Sequence, residues 1–196
     1  MCSLIVAKDS LLHTRKGRLT VEADPHFTLS RLSRAEAARF HEVHPQLAGI
    51  WDKHAPGGFF GKWLLRQKTD HSVTRWGRNQ AKTGAVYLAQ EFGQPVGFSG
   101  WWLDPTCWPE TVKFRWLGII RSARARGLAQ RLVSETIALI REDCPNALYV
   151  SESCPVWFGS MIRFWQKMGF EKWDDTDKRG IGIPFVRTVS LRKRIS

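Results

Sequence analysis

No two of the cysteines make a CxxC pair, and no histidine lies near the last three of them. The four are Cys2, Cys107, Cys144 and Cys154, and all six histidines fall at or before position 71. That argues against a zinc site, and the cysteines read as free thiols of a reducing compartment. His41 and His44 share one expected helix, but no clear third ligand accompanies them, so they read as solvent-facing. No metal is expected. No apolar run approaches the roughly 20 residues that cross a bilayer. The opening Met1-Cys2-Ser3-Leu4-Ile5-Val6 has neither a charged leader nor a long apolar segment, so it does not read as a signal peptide. A cytoplasmic protein is the expectation. Internal repeats and low-complexity linkers are also missing.

What is present suits one globular domain. The chain has 196 residues, 43% hydrophobic and 24% charged, enough to bury a continuous core. Residues 1–25 read as a mixed polar lead-in and 26–196 as the domain. The formal charge is 30 − 18 = +12, which favours an anionic partner, either a phosphorylated cofactor or a nucleic acid. One basic stretch holds Lys62, Arg66, Lys68, Arg75, Arg78 and Lys82; another holds Arg121, Arg124, Arg126 and Arg131.

Periodicity outlines the elements. Phe27 to Leu32 alternates as a strand. Ser33-Arg34-Ala35-Glu36 has the form of a capping box, with Ala37, Phe40, Val43 and Leu47 following at helical spacing and Pro45 bending or ending that helix. A loop with Pro56-Gly57-Gly58 precedes a basic helix over Phe59 to Gln67. Ala85 to Glu91, Val96 to Leu103 and Thr111 to Ile120 read as strands, with a turn at Gly93-Gln94-Pro95. Gly127 to Asp143 reads as an amphipathic helix. Leu128, Leu132, Val133, Ile137 and Ile140 share its apolar face, while Gln130, Arg131, Ser134, Arg141 and Glu142 lie away from it. Ala147 to Glu152 is a strand, Val156 to Met168 a helix ended by Gly169, and Phe170 to Trp173 and Phe185 to Leu191 the last strands. This order predicts a mixed α/β fold.

The passage from Phe114 to Val133 carries the chemistry. A strand ends, a loop of basic and small residues follows, and a helix opens at Gly127. A helix N-terminus offers unpaired amides and the positive end of a dipole, which suits phosphate. Gly127 removes a Cβ where a ligand must come close to the backbone. By these residues alone the loop is a generic anion site or an ordinary helix start with solvated arginines.

Residue order is more specific. Arg124-Ala125-Arg126-Gly127-Leu128-Ala129 resembles the (Gln/Arg)-x-x-Gly-x-(Gly/Ala) signature of the GNAT superfamily of N-acetyltransferases. Phe164-Trp165-Gln166-Lys167-Met168-Gly169-Phe170 is similar to that family's Leu-Tyr-Glu-Lys-x-Gly-Phe motif. The resemblance extends by element order from about Ala85 to Leu191. It implies a mostly antiparallel mixed sheet, splayed at the cofactor site, with helices on both faces. It further implies that acetyl-CoA lies in the splay, its pantetheine paired with the strand through Leu117 and Ile119. The pyrophosphate would sit at Arg124, Ala125, Arg126, Gly127, Leu128 and Ala129, with Trp165 shaping the thioester pocket. An amine acceptor then attacks the thioester directly.

Two departures stand out. The family's usual acid is the motif Tyr, where this chain has Trp165; an indole donates a hydrogen bond but does not protonate a thiolate. The family's Asn falls on Phe158 or on Cys154, depending on the direction of counting. Base candidates are Glu152, near a strand end beside the expected gap, and Glu110, at the start of the strand leading to the cofactor. Ser151, Ser153 and Cys154 are nearby polar groups, and Cys154 raises a ping-pong alternative. Of the ten tryptophans, Trp101, Trp102, Trp108 and Trp116 read mostly as packing, and Trp51 and Trp63 flank a loop that shapes acceptor sites in the family. The basic stretch over 62–82 adds tRNA or other RNA as a candidate partner, with a toxin-like acetyltransferase of aminoacyl-tRNA as one alternative. A non-catalytic acyl-CoA- or RNA-binding module is another. A homodimer is an assembly the resemblance allows.

Overall fold

The computed structural model describes residues 26–47, 50, 73–79, 83–103, 110–156, 158–173 and 188–196. The expected Pro56-Gly57-Gly58 loop, the helix over Phe59 to Gln67, and Trp51, Trp63 and Trp108 lie outside these residues. β1 (Phe27–Arg31) leads to α1 (Arg34–Ala38) and α2 (Phe40–Val43). The capping box forms as read: the Glu36 amide donates to the Ser33 hydroxyl at 3.2 Å, and the Ser33 amide donates to the Glu36 carboxylate at 2.8 Å. The single helix expected here divides earlier than Pro45. Arg39 leaves helical geometry at φ −114°, ψ 22°, and its amide closes a tight turn onto the Glu36 carbonyl. Pro45–Leu47 then forms a 3-10 turn. α3 spans 73–78, with Val73 and Trp76 buried and Arg75 and Arg78 exposed.

The other elements are β2 (Gly84–Glu91), β3 (Gln94–Leu103), β4 (Thr111–Ile119), α4 (Leu128–Asp143), β5 (Tyr149–Pro155), α5 (Gly159–Lys167), β6 (Glu171–Lys172) and β7 (Thr188–Arg194). Some boundaries move from the sequence expectation. The β2–β3 turn is Phe92-Gly93, both at positive φ, while Pro95 joins the strand opposite Gln90 at a register shift. β5 runs on to Pro155 and α5 starts later, at Gly159. Polar Ser151, Ser153 and Glu152 disguise β5, whose pairing with β7 continues through all seven of its residues.

The seven strands form one sheet in the order β1-β2-β3-β4-β5-β7-β6. Every pairing is antiparallel except β4 with β5, which is parallel. Alternation sends Ala85, Tyr87 and Ala89 into one core with α4 and α5, and Val86 and Leu88 into a second with Phe40, Val73 and Trp76. α4 buries Leu128, Leu132, Val133, Thr136, Ile137 and Ile140. Arg131, expected in solvent, instead lies over the Phe27 ring at 4.1 Å and bonds Glu135 at 2.8 Å. His44 is likewise not solvent-facing: it is buried against Phe40, and desolvation lowers its pKa. Among the described residues no cluster of groups suits a metal ion, and no helix is long and apolar enough to cross a membrane.

Candidate functional site

β4 holds the site because its chain changes phase halfway along. Phe98 pairs with Gly118 but Gly100 with Arg115, so Ser99 faces two residues, Trp116 and Leu117. This is a bulge, and Trp116 adopts φ 61° to make it. Without the extra residue, alternation from Val112 and Phe114 would place Trp116 under the helices. The bulge sends Trp116 to the opposite core and returns Leu117 and Ile119 to the α4 side.

The other edge of β4 opens. Its parallel ladder with β5 consists of Thr111↔Tyr149, Val112↔Val150 and Lys113↔Ser151, and no later pair occurs among the described residues. From Phe114 to Ile119, β4 still pairs with β3 but has left β5. The two strands form a fork whose crotch lies at Lys113 and Ser151 and whose open end leads to the loop at 120–127.

That loop is held from behind. After the 3-10 turn Arg121–Ala123, Arg124 is extended, and Ala125 and Gly127 take φ 63° and 78°. A left-handed alanine costs about 1–2 kcal/mol, so the surrounding contacts must over-determine it. Arg124 supplies such contacts: its Nε donates to the Ile119 carbonyl at 3.0 Å and its Nη2 to the Ile50 carbonyl at 3.1 Å. Its guanidinium is therefore a clasp for the loop. Arg126 turns the other way and donates to the Glu91 carboxylate at 2.6 Å. Glu91 was not singled out from the sequence. It lies on another strand, and only the β2–β3 hairpin brings it to the loop.

Gly127 is the N-cap of the 16-residue α4, with no side-chain cap and no acidic residue in the first turn. A Cβ built on it meets nothing within 4 Å, so the space beside the helix N-terminus is open. Ala125, Arg126 and Gly127 are exposed, Ala129 is half-buried, and Leu128 anchors the helix in the core. The first helical amides thus face open space at the positive end of a long helix.

Glu152 is the first residue of β5 beyond the last paired one, at the crotch of the fork. The sequence placed it near a strand end; the longer β5 makes it mid-strand, opposite Leu191. Burial pushes its pKa up from 4.5 to about 7, against the opposing pull of Arg115, Lys113 and the Ser153 amide. Glu110 lies elsewhere: it is exposed at the closed end of the β4–β5 pair, where its carbonyl accepts from the Leu148 and Tyr149 amides. The fork therefore brings together Leu117, Ile119, Glu152 and the loop, and leaves Glu110 outside.

Trp165 faces the sheet and is buried, 1% exposed, edge-on to Phe114, Phe164 and Phe170. Its side chain hydrogen-bonds Cys154. Burial, and then the nearby Glu152 charge, push the Cys154 thiol well above its ordinary pKa.

Comparison with known proteins agrees with this architecture. The "Acetyltransferase (GNAT) family" model matches residues 49–170. Similar solved structures include PaiA N-acetyltransferase from Thermoplasma acidophilum in complex with coenzyme A, at 12% identity and TM-score 0.63, covering 86% of this chain and 99% of that one. The GNAT domain of S. lividans PAT is 14% identical with TM-score 0.61, over 85% and 89% of the two chains. The yncA protein of Salmonella typhimurium, solved with its cofactor acetyl-CoA, is 17% identical with TM-score 0.55, over 87% and 95%. At these identities the likeness is one of fold. No curated protein sequence matches the chain. The family match spans more than half of the chain, and the chain therefore belongs to the acetyltransferase (GNAT) family.

Proposed function

We propose that the protein is an N-acetyltransferase that takes its acyl group from acetyl-CoA and passes it directly to an amine. The observation that carries this reading is the juxtaposition of an open strand fork with a half-buried carboxyl at its crotch, whose desolvation raises its pKa to about 7. The CoA complex of the T. acidophilum N-acetyltransferase and the acetyl-CoA complex of the Salmonella protein support the same cosubstrate here.

The residues fit that cosubstrate. The amides of Arg126, Gly127, Leu128 and Ala129 and the exposed part of Arg126 suit a pyrophosphate, with open space at Gly127 to admit it. The β4 edge at Leu117 and Ile119, unpaired with β5, suits the amides of an extended pantetheine arm. Trp165 walls the fork from behind through Phe114. When bound, acetyl-CoA supplies an activated acyl thioester and a thiolate that leaves readily.

The chain's own part is to position and deprotonate. An amine arrives as an ammonium and attacks only once it has lost a proton. Glu152 is placed to accept that proton on its carboxylate, and a pKa near the working pH suits a general base. Trp165 has no proton to deliver at neutral pH. Cys154 is poorly suited to a ping-pong route, because burial holds its sulfur in the thiol form. Direct attack is thus the mechanism these groups support.

Thiol release from acetyl-CoA in the presence of an amine tests the reading, and release with any amine excludes a purely binding module. For the wild type kcat should rise with pH through about 7 and then level. Glu152→Gln should lower kcat by about 100-fold or more and remove that limb. Trp165→Phe should retain most of the rate. Full activity in Glu152→Gln with none in Trp165→Phe would reverse the assignment.

An RNA-contacting reading, including the aminoacyl-tRNA alternative, has one supporting observation: Arg75 and Arg78 are exposed on α3. Its test is tRNA affinity against salt, which should fall steeply if phosphates are held.

A further inference from the structure

Cross-strand register places Glu152 on the helix side of the sheet. Val112 and Val150 pair across the closed part of the β4–β5 ladder, and both belong to the core beneath α4 and α5. Strand residues two apart share a face. Phe114 and Glu152, each two residues further on, therefore face that same side from the two lips of the fork. Cys154 follows Glu152 along β5, and Leu191 lies opposite it on β7; both belong to the same core.

One side chain spans the two lips. Trp165 comes down from α5 and is edge-on to Phe114 of β4, with ring centroids 5.1 Å apart. Its indole N–H, the one donor it has, hydrogen-bonds Cys154 of β5. Phe170 backs the indole at 4.8 Å. Phe114, Cys154, Trp165, Phe170 and Leu191 are all buried. The indole thus floors the fork on the helix side, anchored to one lip by a ring contact and to the other by a hydrogen bond. The proton transfer assigned to Glu152 does not itself require this floor.

The place of the base sets the place of the acyl group. An amine that gives its proton to Glu152 lies about 3 Å from that carboxylate, and the carbonyl carbon it attacks lies about 3.5 Å from the amine. The acyl tail therefore starts beside Glu152. On this face its neighbours are Phe114, Cys154 and, bridging them, Trp165. A close-packed wall admits added methylenes only by displacing side chains.

We infer that Trp165 is the residue that sets acyl length: its indole floors the fork so that acetyl fits beside Glu152 and longer acyl chains are turned away. The inference rests on the acetyl transfer proposed above and names the residue that selects the acyl donor for that site. Selection is by volume, so a smaller side chain at this position should admit longer chains.

Isothermal titration of acetyl-, butyryl- and hexanoyl-CoA into wild type, Trp165→Phe and Trp165→Leu tests this without an acceptor. In the wild type, Kd should rise by about tenfold or more from acetyl- to hexanoyl-CoA. Trp165→Leu should shrink that ratio to about threefold or less, with Trp165→Phe in between. The ratio within each variant is the reading, because loss of a side chain that only packs the core would weaken all three ligands alike. Should Trp165→Leu fail to fold by circular dichroism, Trp165→Phe keeps an aromatic ring in the core and decides through the same ratio. A wild type that binds hexanoyl-CoA as tightly as acetyl-CoA, or a ratio unchanged in every folded variant, would overturn the inference. Failure of the wild type to bind acetyl-CoA would instead remove the transfer reading beneath it.

Discussion

β4 has two neighbours and treats them differently. Against β3 it is stitched from Val112 to Ile119, through a bulge that the pairing absorbs. Against β5 it is stitched only from Thr111 to Lys113 and then lets go. The β3 flank is packed to the limit: a Cβ on Gly97 would lie 2.5 Å from the Gly118 carbonyl oxygen, and one on Gly118 2.8 Å from the Phe98 ring. The β5 flank leads to a loop where a Cβ on Gly127 would touch nothing. One strand is thus a structural member on one edge and an open edge on the other. The rigid side holds the open side in shape, and the open side keeps a carboxyl in an environment that raises its pKa.

The largest expected effect sharpens that contrast through pH. The Glu152 pKa is raised from 4.5 to about 7. Below 4.5 the carboxyl is protonated in both states. Between 4.5 and 7 the folded chain keeps a proton that the unfolded chain has lost, so wild-type stability falls as pH rises through this window. Glu152→Gln lacks the titration. It should be more stable than wild type at pH 8, by at most about 3 kcal/mol, and equal to it at pH 4, as read by urea unfolding. Equal stability at both pH values would mean that the fork does not desolvate this carboxyl.

The stitched flank should respond in the opposite sense. Gly97→Ala should cost about 2 kcal/mol by overpacking against β4, measured by the same unfolding. A neutral result would mean that the β3–β4 contact yields more easily than its geometry indicates. The smallest effect is expected at the exposed positions of α3. Arg75→Glu combined with Arg78→Glu, both exposed on α3, should change stability by less than about 0.5 kcal/mol. Acetyl-CoA affinity should stay as it was. If tRNA is a partner, its affinity and its salt dependence should drop in this variant.

How much of this was legible before the fold depends on the range of the interactions. α4 was legible because an amphipathic helix writes its burial into local spacing, and all five residues assigned to its apolar face are buried. The loop was legible because Gly127 answers a local backbone demand, φ 78° at a helix start. The Trp116 bulge was not, since a tryptophan at φ 61° goes against local preference and is imposed by pairing with β3. Glu91 was invisible for a similar reason: its partner Arg126 is 35 residues away. Glu152 could be named as a candidate from its strand. Its place one residue beyond the ladder, and the burial that raises its pKa, required the partner strand to be in view.

The central claim is that the open flank of β4, ending in the Gly127 helix start, is where acetyl-CoA docks. Isothermal titration of acetyl-CoA into wild type and Gly127→Val tests it without knowledge of the acceptor. Valine at φ 78° is strained and fills the open space beside the helix amides. With folding of the variant verified by circular dichroism, the account predicts a loss of affinity of about tenfold or more, equivalent to roughly 1.4 kcal/mol. Unchanged affinity in a folded Gly127→Val would contradict it.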